Sequence, residues 1–120
     1  MTTVVLLPLT VYGVPSGNYD GSSMDFYGPA QPAANYYLGR GSLQTIFYRF
    51  DGFTGGVKIE ATVDQDPDSA TWIEVDSFGA DYSTQWSGVY SSNVTGNFTW
   101  LRARIIDFMD GDIDSITAVY

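Results

Sequence analysis

Carboxylates dominate the side chains that could do chemistry in this sequence: 12 Asp and 2 Glu, many of them gathered in two clusters. Asp64, Asp66 and Asp68 alternate in Asp64-Gln65-Asp66-Pro67-Asp68, which is similar to the opening of a calcium loop with an oxygen ligand at every second position. The EF-hand pattern then requires Gly at its sixth position and Glu at its twelfth. Those positions hold Ser69 and Val75, so an EF-hand is excluded. Another loop-type cation site, or simply an acidic turn between strands, fits the same residues. In the second cluster Asp107 and Asp114 flank Asp110-Gly111 symmetrically, with Asp112 between them. If the chain turns at Asp110-Gly111 they oppose one another, an unfavourable pairing that a cation, a bulge or solvation would relieve.

Acid–base chemistry finds little else to work with. Histidine and cysteine are absent, which removes the usual general base, the usual zinc ligands, the thiolate nucleophile and any disulfide. A glycosidase needs only two carboxylates about 5–10 Å apart across a sugar site. The carboxylates here sit mainly at turns of a chain too small for a deep, water-excluding cleft. The expectation is a protein that is not an enzyme and holds no cofactor. Asn93-Val94-Thr95 and Asn97-Phe98-Thr99 match the glycosylation sequon but read as turn and strand-start residues. Trp100, Arg102 and Arg104 alternate along one face, and Trp and Arg are the types enriched in interface hot spots. The bland alternative has Trp100 under a loop and the arginines paired with local Asp.

Strands must position these residues, because no stretch shows a sustained helical period with a cap. Val57-Lys58-Ile59-Glu60-Ala61-Thr62-Val63 alternates throughout, with Val57, Ile59, Ala61 and Val63 facing inward. Leu43 to Phe50 precedes it, joined through an expected turn at Asp51-Gly52-Phe53-Thr54-Gly55-Gly56, and a further strand lies around Trp72 to Asp76. Asp110-Gly111 predicts a two-residue hairpin. That register opposes Leu101 to Tyr120, Ala103 to Ala118 and Ile105 to Ile116, all on one face. The sum is an all-β fold: a two-sheet antiparallel β-sandwich, jelly-roll-like or immunoglobulin-like in layout, with long Gly/Tyr/Pro-rich loops.

The chain has 120 residues, room for one domain, with residues 1–34 as a variable N-terminal strand and arm and 35–120 as the sandwich core. The run Val4-Val5-Leu6-Leu7-Pro8-Leu9 reads as a first, edge-like strand. It has no basic region before it and is too short to span a bilayer, so neither a signal peptide nor a membrane segment is expected. Net charge is −9, with 14 acidic against 5 basic side chains, which disfavours nucleic acid and anionic membranes as partners. From Gly13 to Ser42 the chain is rich in turn formers yet also in aromatic residues. Tyr19, Phe26, Tyr27, Tyr36 and Tyr37 there, with Trp86, Trp100, Arg102 and Arg104, are the expected docking residues. Each such ring offers about 150–250 Å² of burial.

Several stretches carry a family likeness. Tyr36-Tyr37-Leu38-Gly39-Arg40-Gly41-Ser42-Leu43-Gln44-Thr45, Phe53-Thr54-Gly55-Gly56-Val57-Lys58-Ile59-Glu60-Ala61-Thr62, Asp66-Pro67 with Trp72, and Gly96-Asn97-Phe98-Thr99-Trp100-Leu101-Arg102-Ala103 appear in that order. Together they resemble short virion structural proteins of marine tailed phages, especially cyanophages, over residues 35–120. The resemblance implies a β-sandwich module that decorates a particle, without catalytic residues. The resulting expectation is a capsid decoration protein located on the virion, bound to a major capsid or tail protein and forming a homo-oligomer. The second expectation is a tail or baseplate module that binds host-surface carbohydrate.

Overall fold

Two strands of unusual length organise the molecule. A computed structural model describes residues 2–38, 42–79 and 85–120, with the side chains of residues 37 and 38 outside that description. Its strands are β1 (Thr3–Leu7), β2 (Thr10–Val11), β3 (Phe26–Tyr27), β4 (Gln31–Pro32), β5 (Leu43–Thr62), β6 (Ile73–Gly79), β7 (Trp86–Thr95) and β8 (Trp100–Val119), with one short helix, α1 (Ala34–Leu38). All eight strands join one antiparallel sheet, in which β5 and β8 run side by side as a 20-residue ribbon. The ribbon has two arms. In arm one, residues 45–51 of β5 pair with residues 112–119 of β8; in arm two, residues 56–62 pair with residues 100–106. β7 extends arm one and β6 extends arm two on the β5 side. On the β8 side, β1 and β2 extend arm one, and β3 and β4 extend arm two.

The expected hairpin at Asp110-Gly111 does not form, and neither does the expected turn at Asp51 to Gly56. Both segments lie within continuous strands. Ala103 pairs with Ile59, and Ala118 pairs with Ile46 and Val4. Asp107 and Asp114 therefore lie along one strand rather than opposite each other. The register shifts between Arg49 and Phe50, between Asp51 and Thr54, and between Thr54 and Gly56, so the ribbon is bulged at its middle. The turn-forming residues serve those bulges. Gly52, Gly55 and Gly111 have φ of 68°, 144° and 83°, and Asp107 has φ of 52°. At Gly111 the two strands approach closely, since a Cβ there would overlap the Gly52 carbonyl oxygen. The same residues that favour a hairpin tip favour a sharp bulge, because both need positive φ and close backbone approach.

Alternation survives the change of partner. Leu101, Ala103, Ile105, Ile113, Ile116 and Ala118 are all fully buried, as are Ile46, Ile59 and Ala61 on β5. Side chains from both arms belong to a single core cluster. Phe53 and Phe108, at the bulged middle, are fully buried with ring centroids 5.7 Å apart. Tyr19 and Phe26 complete that aromatic cluster. Tyr19 lies 4.9 Å from Phe26 and 5.3 Å from Phe108, and its hydroxyl accepts the Gly13 N–H at 3.0 Å. Both rings are almost wholly buried within their own chain. They are core residues, which corrects their expected role in docking. The arm carrying them bonds to the domain: Gly28 N–H donates to Ala103, Ala33 N–H to Thr99, and Tyr120 hydroxyl to the Pro32 carbonyl.

Candidate functional site

The outer face of arm two gathers charge and rings. Alternation turns Lys58 and Glu60 of β5 and Trp100, Arg102 and Arg104 of β8 outward, because their neighbours fill the core. Cross-strand pairing places Arg102 beside Glu60 and Arg104 beside Lys58, while β6 adds Glu74 next to Glu60. Arg102 donates from Nε to Glu60 Oε1 at 2.7 Å, with both side chains mostly shielded from water. Its guanidinium lies 4.2 Å from the centroid of Tyr27 and 4.2 Å from that of Trp72. Two rings and a carboxylate thus hold one cation, a geometry that combines cation–π attraction with a charge-assisted hydrogen bond. Arg104 lies 5.5 Å from the Tyr27 ring, and Lys58 pairs with Glu74 at 3.0 Å in a more exposed setting.

Trp100 continues the face toward the end of the domain. Its indole N–H donates to the Gln65 carbonyl at 2.9 Å, and its ring lies 5.0 Å from Tyr36. Two shallow grooves adjoin it on either side of the exposed Val63. One, of about 250 Å³, is lined by Ala61, Thr71, Ile73 and Phe98 among others; the second, of about 380 Å³, is lined by Asn35, Tyr36, Gln65 and Thr99 with Val63. Neither is a deep cleft. The arrangement can stack flat groups and bond to polar ones, and it supplies no evident proton-transfer pair.

Of the expected docking residues, Tyr27, Tyr36, Trp100, Arg102 and Arg104 lie on or beside this face. Tyr19 and Phe26 lie in the core. The side chain of Tyr37 lies outside the described residues, as does all of the motif residue Arg40. Trp86 is half-buried against Phe78 and Tyr90, with centroids at 4.7 and 5.8 Å, on the opposite arm. Sequence reasoning missed Glu60 and Trp72 as members of the site. Glu60 was legible as an outward residue of an alternating strand, whereas Trp72 reaches Arg102 only through the course of the 63–72 loop.

The acidic clusters perform backbone work. Asp64 Oδ2 accepts the Thr71 N–H at 2.8 Å, and Asp66 Oδ1 accepts the Asp68 N–H at 3.0 Å. Asp107 N–H donates to Asp25 Oδ1, and Asp114 is exposed. Among the described residues, no group of three or more acidic side chains that could hold a metal ion comes together. Among the described residues, the surroundings shift Asp20 and Tyr48 from their ordinary values. Backbone hydrogen bonds from Ser22 and Ser23 lower Asp20 to about 2. Burial, then the hydrogen bond it donates to the Asp76 carboxylate, raises Tyr48 well above the usual phenol range.

Compared with known proteins, the chain matches no family model, no curated protein and no solved structure.

Proposed function

We propose that this protein is a non-enzymatic structural component of a phage virion, an accessory protein docked on the capsid exterior through the outer face of arm two. The observation that carries the reading is the Tyr27–Arg102–Trp72 stack with its Glu60 partner. An arginine pre-ordered between rings costs little further side-chain entropy when a partner arrives, which favours tight docking. The resemblance over residues 35–120 supplies the particle, and a major capsid or tail protein is the partner. Strong negative charge on the remaining surface keeps the docked module soluble and away from nucleic acid and anionic membranes.

The bent sheet works in this reading as a two-layer sandwich. Support comes from the shared core and from contacts between the arms. Tyr48 of arm one stacks on Phe78 of β6 at 5.3 Å, and Ser92 of β7 donates to Asp76 of β6 at 3.1 Å. Strands that pass between layers through bulges are a known way of making such corners.

Density on purified virions, viewed by electron cryomicroscopy, tests the proposal. A fixed number of copies on the capsid surface, with the Arg102 face toward the shell, is expected; a particle proteome lacking the chain sinks it. A second reading, a carbohydrate-binding tail module, is favoured by Tyr36, which is 49% exposed and lines one groove, and by Tyr27, which is 41% exposed beside Arg102. Sugar rings stacking there would quench tryptophan fluorescence, and density at the tail tip would replace density on the head.

A further inference from the structure

Among the described residues, each exposed strand edge of this sheet except that of β7 carries along its length a device that blocks pairing with another chain. β1 is five residues long, shifts register between Val5 and Leu7, and is followed by Pro8. The Gly28 backbone also packs against its Leu6 carbonyl, where a Cβ would overlap. β2, β3 and β4 have two residues each. β6 is bulged between Ile59 and Glu60 of its partner and carries Glu74 and Asp76. Short length, bulges, prolines and charges are the usual protections of an edge. β7 is the least protected, since the one register shift in its ladder lies at its start, opposite Phe50 to Phe53 of β5. Its ten residues, Trp86-Ser87-Gly88-Val89-Tyr90-Ser91-Ser92-Asn93-Val94-Thr95, include no charge and no proline, and residues 88–95 pair with β5 in unbroken register. Among the described residues, only β5 pairs with it.

We propose that the free edge of β7 pairs antiparallel with β7 of a second copy of this chain, across a two-fold axis at Ser92. The inference is independent of what the Arg102 face binds. Gly96 N–H bonds to the Ser42 carbonyl, and an antiparallel ladder alternates its bonded pairs. The backbone groups of Val89, Ser91, Asn93 and Thr95 therefore point away from β5. All four side chains are exposed, Val89 at 63%. A two-fold at Ser92 sets Val89 opposite Thr95 and Ser91 opposite Asn93, so these four residues exchange about eight backbone hydrogen bonds with their counterparts.

Charge leaves β7 as the edge at which a second copy can be the occupant. A chain of net charge −9 repels itself over much of its surface. A two-fold contact opposes each residue to one of its own set, so acids in β6 would meet acids. β7 opposes Val, Ser, Asn and Thr to one another and meets no like charge.

Sedimentation equilibrium over a concentration series tests the pairing. Wild type is expected to pass reversibly from monomer to dimer. Ser91→Lys with Asn93→Lys sets lysine opposite lysine and weakens the dimer at least tenfold. Ser91→Lys with Asn93→Glu sets unlike charges opposite each other in the proposed register and restores it. Unchanged circular dichroism and Tm show that both variants fold. Should either fail to fold, amide exchange in wild type reads the same contact: Val89, Ser91, Asn93 and Thr95 slow as concentration rises. A wild type monomeric at about 1 mM, exchange at these amides indifferent to concentration, or a like-charge variant that dimerises as tightly as wild type overturns the proposal. Equal weakening by both double variants overturns the Ser92 axis.

Discussion

Along arm one of the ribbon the outward side chains are Thr45, Phe47, Arg49, Ser115 and Thr117; along arm two they are Lys58, Glu60, Trp100, Arg102 and Arg104. The inward sets hardly differ: Ile46, Tyr48, Phe50, Ile113, Ile116 and Ala118 against Val57, Ile59, Ala61, Leu101, Ala103 and Ile105. Arg49 in arm one reaches two hydroxyls, at 3.3 Å from Ser115 and Thr117, and lies 5.5 Å from the centroid of one ring, Phe47, with no carboxylate partner among the described residues. Arg102 in arm two holds a carboxylate and two rings. One pair of strands therefore builds a common interior and two dissimilar exteriors. The interior explains cohesion, and the difference between exteriors is what sets the proposed docking face apart, because packing alone does not call for a desolvated ion pair between rings.

The largest effect is expected inside. Ile46→Ala in arm one and Ile59→Ala in arm two remove fully buried side chains from one core. Each should cost about 2–5 kcal/mol in chemical denaturation, in a single transition of unchanged slope. Two separate transitions, or one arm melting alone, would show that the arms do not share a core and would break the comparison at its base.

Alkaline pH probes the tie between the arms. Tyr48 belongs to arm one, and Asp76 lies on the strand beside arm two. Its folded pKa lies above the unfolded value of 10.0, so the folded state retains the proton longer. The contribution is fully present below pH 10 and is lost as pH rises above it. Thermal melts from pH 8 to pH 11 should show Tm falling from about pH 10 in wild type. Tyr48→Phe should be less stable at pH 8 by about 1–3 kcal/mol, with a smaller alkaline decline. Parallel declines in both proteins would assign the effect to the other tyrosines.

The smallest effect separates the exteriors. Arg102→Ala should destabilise by about 1–2 kcal/mol, since it strips a hydrogen bond from a shielded Glu60 and removes a cation from two rings. Arg49→Ala should cost less than about 1 kcal/mol, because its hydrogen bonds are long, at 3.3 Å, and its loss leaves no charged partner behind among the described residues. Equal costs in urea titrations would remove the energetic distinction between the two faces.

The residues themselves determined the all-β class, the inward positions apart from Val63, which is 67% exposed, and the outward placement of Arg102 and Arg104. Alternation is written into each strand and holds whichever strand lies beside it. Partner choice was not legible. Asp110-Gly111 and Asp51 to Gly56 carry the chemistry of a tight turn, but positive φ and a missing Cβ serve a bulge equally well. Only tertiary structure decided that two bent strands lie together as one ribbon rather than as two hairpins, because that choice depends on contacts between residues some 60 positions apart at the bulge, such as Gly52 with Gly111. The aromatic arm shows the same division. Composition marked Tyr19, Phe26 and Tyr27 as rings needing burial. Burial of Phe26, and exposure of Tyr27 beside Arg102, followed from the pairing of Phe26 with Ile105 and of Tyr27 with Arg104, while Tyr19 is buried by packing on Phe26 and Phe108. A strand side points by parity, and parity has meaning only once a neighbouring strand fixes which face is the core.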